Sequence, residues 1–140
     1  MSKSDVVRPT KGVFDIQEII ARFPDHADTM LLDAYLTDEA EASARLFRAY
    51  RPVPAHYHVN CDEYLTVVAG RGLFFMEDMK PFEVGPGQLL FFKRKTVHGI
   101  PGILQEPFVV LAVDTPRRDP RDIVFVDKAD GTPETFIKAI

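Results

Sequence analysis

Three histidines and one glutamate stand in a pattern that can bind a metal ion. His56-Tyr57-His58 sets two imidazoles two residues apart, and on an extended strand such residues project to one face. Glu63 lies five residues after His58 and would face the opposite side of an unbroken strand. Asn60-Cys61-Asp62 between them supplies turn chemistry, so a bend can return Glu63 to the histidine face. His98 follows a further buried-looking strand, Leu89-Leu90-Phe91-Phe92. Three imidazoles and a carboxylate converging inside a small barrel suit one divalent transition metal ion of the iron, manganese, nickel, copper or zinc group. The plainer alternative keeps His56 and His58 as ordinary strand residues, because such pairs are common by chance. Of the four histidines only His26, in a Pro-Asp-His loop, falls outside the pattern.

The elements that must position these groups are short and rich in β-branched and aromatic residues. Strands are predicted at about 29–37, 44–50, 55–59, 63–69, 72–78, 81–84, 88–93, 97–100, 108–114 and 123–126. Gly70-Arg71-Gly72 reads as a hairpin turn, and Gly85-Pro86-Gly87 as another. One helix signal precedes them: Asp15 can cap a short helix with Ile16, Ile19, Ile20 and Phe23 on one face, ending before Pro24. Residues 133–140 can form a short final helix or fray. Many short strands at regular spacing predict an all-β sandwich or barrel.

Composition limits the rest. At 140 residues the chain has room for one domain, and 46% hydrophobic residues with eleven phenylalanines can fill one core. A net charge of −4 argues against nucleic acid as a partner, which calls for a basic face. No apolar run is long enough for a membrane span. Met1 to Gly12 carries Lys3, Arg8 and Lys11 but no apolar stretch of a secretory signal. Cys61 is the single cysteine, which excludes an intramolecular disulfide and fits a reducing, cytoplasmic setting.

The spacing resembles a known family. His56-Tyr57-His58, a four-residue gap, Glu63, a six-residue gap and Gly70 are similar to the first conserved motif of the cupin superfamily. Gly87, with His98 eleven residues later, resembles the second, and the likeness runs from Tyr50 to about Pro101. Tyr50 replaces the glycine that usually opens the first motif. Lys93 and Lys95 stand at the usual proline and glycine of the second, and Gly102 at its asparagine. These are turn and packing positions, so every ligand position is kept. The resemblance implies a double-stranded β-helix (jelly-roll, cupin-type) barrel over about 29–126, preceded by the short helix, in a single domain spanning 1–140. It also implies a metal held by His56, His58, Glu63 and His98, with open positions for water or substrate. Homodimerisation by exchange of edge strands from the 29–50 region is a further expectation. Because the imidazoles must be neutral, metal affinity is expected to fall between neutral pH and about pH 5.

Other groups have two readings each. Phe74, Phe75, Met76, Phe82, Phe91, Phe92 and Phe108 can line a substrate cavity, though core packing explains most of them. On the alternation set by Glu63, Leu65 and Val67 share the interior. Lys93-Arg94-Lys95 is a solvated hairpin tip or an anion-attracting mouth. Arg117, Arg118 and Arg121 alternate with Asp114, Asp119 and Asp122, as in surface ion pairing. Cys61 reads as an incidental thiol. The function expected is a metal-dependent enzyme of oxygenase or isomerase type acting on a small organic molecule. The alternative is a non-catalytic module that binds a small ligand or uses the metal structurally. No general base can be named.

Overall fold

The short alternating runs become nine strands and two short helices in a computed structural model that describes residues 10–140. Lys3 and Arg8 lie outside the described residues. α1 (Ile16–Ile20) begins where expected: the Asp15 side chain accepts from the Glu18 amide at 3.2 Å. Ile19 and Phe23 bury against Leu32, Leu46 and Val109 on the outer face of the barrel.

β1 (Leu31–Asp38) and β2 (Ser43–Ala49) form a hairpin, and β2 continues onto the second half of β7 (His98–Thr115). The first half of β4 (Asp62–Met76) lies beside that part of β7, with β6 (Leu89–Phe92) beyond it. These strands make one layer. The other half of β4 pairs with β5 (Phe82–Val84), and the first half of β7 pairs with β3 (Val53–Tyr57), which in turn carries β8 (Val124–Phe125). Both long strands thus pass from one layer to the other. The core lies between the layers, with Leu31, Phe47, Leu65, Val110 and Ala112 meeting Val53, Phe74, Val84 and Ile100.

The first predicted turn is not a turn. β4 runs unbroken through Gly70, and its pairing with β7 slips between Ala69 and Arg71 and again before Gly72. Gly70 sits at φ 74°, where a Cβ would stand 2.2 Å from the Pro107 carbonyl oxygen. The glycine makes a bulge that lets the strand bend between layers. Gly85-Pro86-Gly87 is the turn expected, with Gly87 at φ 92° and the Gln88 amide donating to the Gly85 carbonyl at 3.2 Å. Lys95, at the motif's glycine position, takes the left-handed conformation itself (φ 69°), and its amide donates to the His58 carbonyl at 2.6 Å. Residues 133–140 form α2 (Pro133–Phe136) and then β9 (Ile137–Ala139), which pairs in parallel with Leu31–Asp33 of β1. That half of the β1 edge is therefore covered from within the chain.

Candidate metal centre

The sheet register brings the distant histidines together. His56 of β3 lies directly opposite His98 of β7, and the ring centroids are 4.2 Å apart. His58 lies just past β3, held by the loop around Asp122, whose carboxylate accepts from the Val59 and Asn60 amides at 2.8 and 2.9 Å. Each imidazole has Nδ1 against a backbone carbonyl: His56 on Pro54 at 2.8 Å, His58 on Asp122 at 2.6 Å and His98 on Thr96 at 2.9 Å. This fixes ring orientation and leaves Nε2 as the inward nitrogen. All three rings are buried, and their candidate donor atoms lie within 4.8 Å of one another.

Glu63 turns back to meet them, as the bend at 60–62 requires. Its Oε1 is 2.8 Å from His58 Nε2 and 3.9 Å from His98 Nε2. Two lone pairs facing each other at 2.8 Å would repel, so a cation, either a proton or a metal ion, must satisfy this pair. The donor set therefore fits a transition metal ion. Burial alone would raise the Glu63 carboxyl, but His58, Asp114 and Arg45 hold it well below the usual range, as an ionised ligand must be. Burial and the neighbouring imidazoles His98 and His58 push His56 well below an ordinary histidine. Burial with His58 takes His98 down to about 3. Protonation of His56 and His98 is disfavoured because both rings are shut away from water.

Glu63 is held from behind by Arg45, which is buried and spends its guanidinium on three carboxylates. Nη2 donates to Glu63 Oε2 at 3.1 Å, Nη1 to Asp33 at 3.2 Å, and Nε to Asp114 at 2.8 Å. Ser43 adds a hydrogen bond to Asp114 at 2.8 Å. Burial nonetheless pushes the Asp114 carboxyl up to about 6.

The motif region, residues 50–114, matches the family model described as a cupin domain. A protein with a double-stranded β-helix domain from Klebsiella pneumoniae subsp. pneumoniae MGH 78578 superposes with a TM-score of 0.67, at 17% identity, covering 84% of this chain and 99% of that one. Residues 50–114 form a cupin domain. KdgF from Halomonas sp. is similar at a TM-score of 0.59 and 22% identity, over 64% of this chain and 82% of that protein. Streptomyces PAC13 with uridine, described as a nucleoside dehydratase, gives 0.54 and 16%, over 74% and 75%. At such identities the likeness is one of fold. No curated protein matches the sequence.

The four motif residues line a cavity of about 30 Å³ together with apolar side chains including Leu65, Phe74 and Phe136. Phe74 lies parallel to His98 at 6.1 Å, and Phe92 packs on the same ring at 3.9 Å. These two phenylalanines serve core and site together. Phe108 and Val67 are core alone, whereas Phe91 is 46% exposed and packs on Tyr64 outside the barrel. Cys61 is buried, and burial raises its thiol, so it is unreactive. Lys93, Arg94 and Lys95 are exposed, with Arg94 paired to Asp62 at 3.0 Å.

Arg117 and Arg121 form the surface pairs expected of them, with Asp38 and Glu134. Arg118 does not: it is 1% exposed and lines the cavity beside the histidines. Arg45, Asp114 and Phe136 also went unrecognised as site residues. Arg45 was hidden because β2 carries an arginine on each face, and Asp114 because it ends a strand like any turn residue.

Proposed function

We propose that this cupin is a metal-dependent enzyme that acts on a small organic molecule, with His56, His58, Glu63 and His98 holding one divalent transition metal ion. The observation that carries the reading is the set of three buried imidazoles, each held by a carbonyl on Nδ1, with Nε2 of His58 and of His98 at 2.8 and 3.9 Å from Glu63 Oε1. When bound, such an ion supplies Lewis acidity to an oxygen of the substrate, in the manner of an oxygenase or isomerase. Arg45 keeps Glu63 ionised and aimed, while Phe74, Phe92 and Phe136 exclude bulk water. Dehydratase activity in a similar fold supports an enzyme without choosing the reaction.

One observation favours the second reading, a metal that is structural. The cavity, about 30 Å³, is small for a site that must hold an organic substrate. Elemental analysis of the wild type beside a His56→Ala/His58→Ala double variant tests for the ion, which the double variant is expected to lose. His98→Ala then separates the readings: loss of turnover with the fold retained supports catalysis, and loss of thermal stability alone supports a structural ion. A homodimer with a cytoplasmic address completes the proposal, with the reducing compartment supported by the single buried thiol. Light scattering of the purified protein tests the dimer. Among the described residues no helix is long and apolar enough to cross a membrane.

A further inference from the structure

The Arg118 guanidinium is buried without a hydrogen-bond partner. None of Nε, Nη1 and Nη2 has one among the described residues. Buried arginine donors are nearly always satisfied, and leaving them bare is costly. The carboxylates nearby, Asp33, Glu63 and Asp114, hydrogen-bond Arg45 instead. The guanidinium lies over the Phe136 ring, whose centroid is 5.7 Å from Cζ. The loop that delivers Arg118 is pinned: the Arg118 amide donates to Ser43 Oγ at 3.3 Å, and the Arg117 amide to the Ala40 carbonyl at 3.2 Å.

The charge balance points the same way. Inside the barrel two guanidiniums, Arg45 and Arg118, face three carboxylates, Asp33, Glu63 and Asp114. A divalent ion on the histidines turns this formal excess of one negative charge into an excess of one positive charge. A single anionic group beside Arg118 would then restore neutrality and fill the empty donors.

We infer that Arg118 binds the carboxylate of a small organic acid, so that the substrate of the proposed metal centre is a carboxylate held between guanidinium and metal. The inference rests on the metal reading above. A planar fork of N–H donors matches a carboxylate with two parallel hydrogen bonds. The apolar walls and the cavity of about 30 Å³ select a small acid over a phosphate ester or nucleoside.

The test is calorimetric titration of sodium propionate, and of neutral propionamide, into protein reconstituted with Zn²⁺, with metal content measured on every sample. Wild type is expected to prefer propionate, and Arg118→Gln to lose about 10- to 100-fold in propionate affinity, the worth of charge-assisted hydrogen bonds, while keeping its metal. Arg118→Lys, with charge but no fork, is expected to fall between. Equal propionate affinity in wild type and Arg118→Gln, both metal-loaded, overturns the role of Arg118 and leaves the metal centre standing. Wild type that takes up no metal overturns the metal reading and this inference with it. Should the variants fail to fold, a crystal structure of the wild-type propionate complex decides. Carboxylate oxygens within about 3.2 Å of Arg118 nitrogens support the inference, and propionate bound elsewhere overturns it.

Discussion

Replacing Phe136 with alanine removes the ring that packs beside His56 and under the Arg118 guanidinium. The ring is 4% exposed. It meets Phe125 edge-on at 6.1 Å, lies 5.2 Å from the His56 ring, and carries the Arg118 guanidinium at 5.7 Å. Phe→Ala in a core costs about 3–5 kcal/mol, the lost transfer free energy plus the cavity left behind. Here the void can partly collapse, because α2 is a single turn and β9 pairs with β1 only through Ile137–Ala139. That places the expected loss near the lower bound, about 3 kcal/mol. In a chain of this size each kcal/mol moves Tm by about 2–4 °C, giving a drop of roughly 6–12 °C. Differential scanning calorimetry of the metal-free protein measures it directly. Phe136→Leu keeps most of the volume and is expected to lose only about 1 kcal/mol. A Phe136→Ala protein melting within about 2 °C of wild type would refute the reasoning, since the ring would then contribute no burial.

Arg45→Met is expected to destabilise by about 3–5 kcal/mol, because it strands buried carboxylates without their cation, and urea unfolding measures this. Melting temperature of chelator-treated protein is expected to fall from pH 7 to pH 5. His56 and His98 are held below their unfolded values, so their stabilisation is complete above about pH 6.5 and is lost on acidification, at up to about 1.4 kcal/mol per pH unit for each. Asp114, raised to about 6, acts in the opposite sense, losing its contribution as pH rises from about 4. It offsets part of the fall, and Asp114→Asn is expected to steepen it; a melting temperature that rises on acidification would contradict the buried neutral imidazoles. Gly70→Ala is expected to cost more than about 1 kcal/mol, because the left-handed backbone is blocked and its Cβ meets the Pro107 carbonyl; circular dichroism melts check it.

What was legible in the sequence is what depends on local spacing. The pair His56 and His58 shares a face whatever the rest of the chain does, and the bend at 60–62 accounts for Glu63. Gly85-Pro86-Gly87 fits one turn type and forms it. Gly70-Arg71-Gly72 has the composition of a turn yet lies inside a strand, because the decision belongs to β7, more than thirty residues away, which pairs on both sides of the bulge. Arg118 was illegible for a similar reason. Three arginines among aspartates look solvated, and only the path of the chain after β7 turns the middle one inward. The basic tip at 93–95 kept its lysine despite the backbone that Lys95 must adopt, so the family's glycine is a preference there and not a requirement.

The order of the chain has a consequence for how the site is filled during synthesis. His56, His58, Glu63 and His98 all precede Phe136, the last of them by about forty residues, or roughly 2–8 s of translation at about 5–20 residues per second. For those seconds the donors exist and their cover does not. An ion captured then would come to lie beside the Phe136 ring once α2 settles and β9 docks along β1. Which metal the protein carries would then depend on supply at the ribosome as well as on affinity at equilibrium.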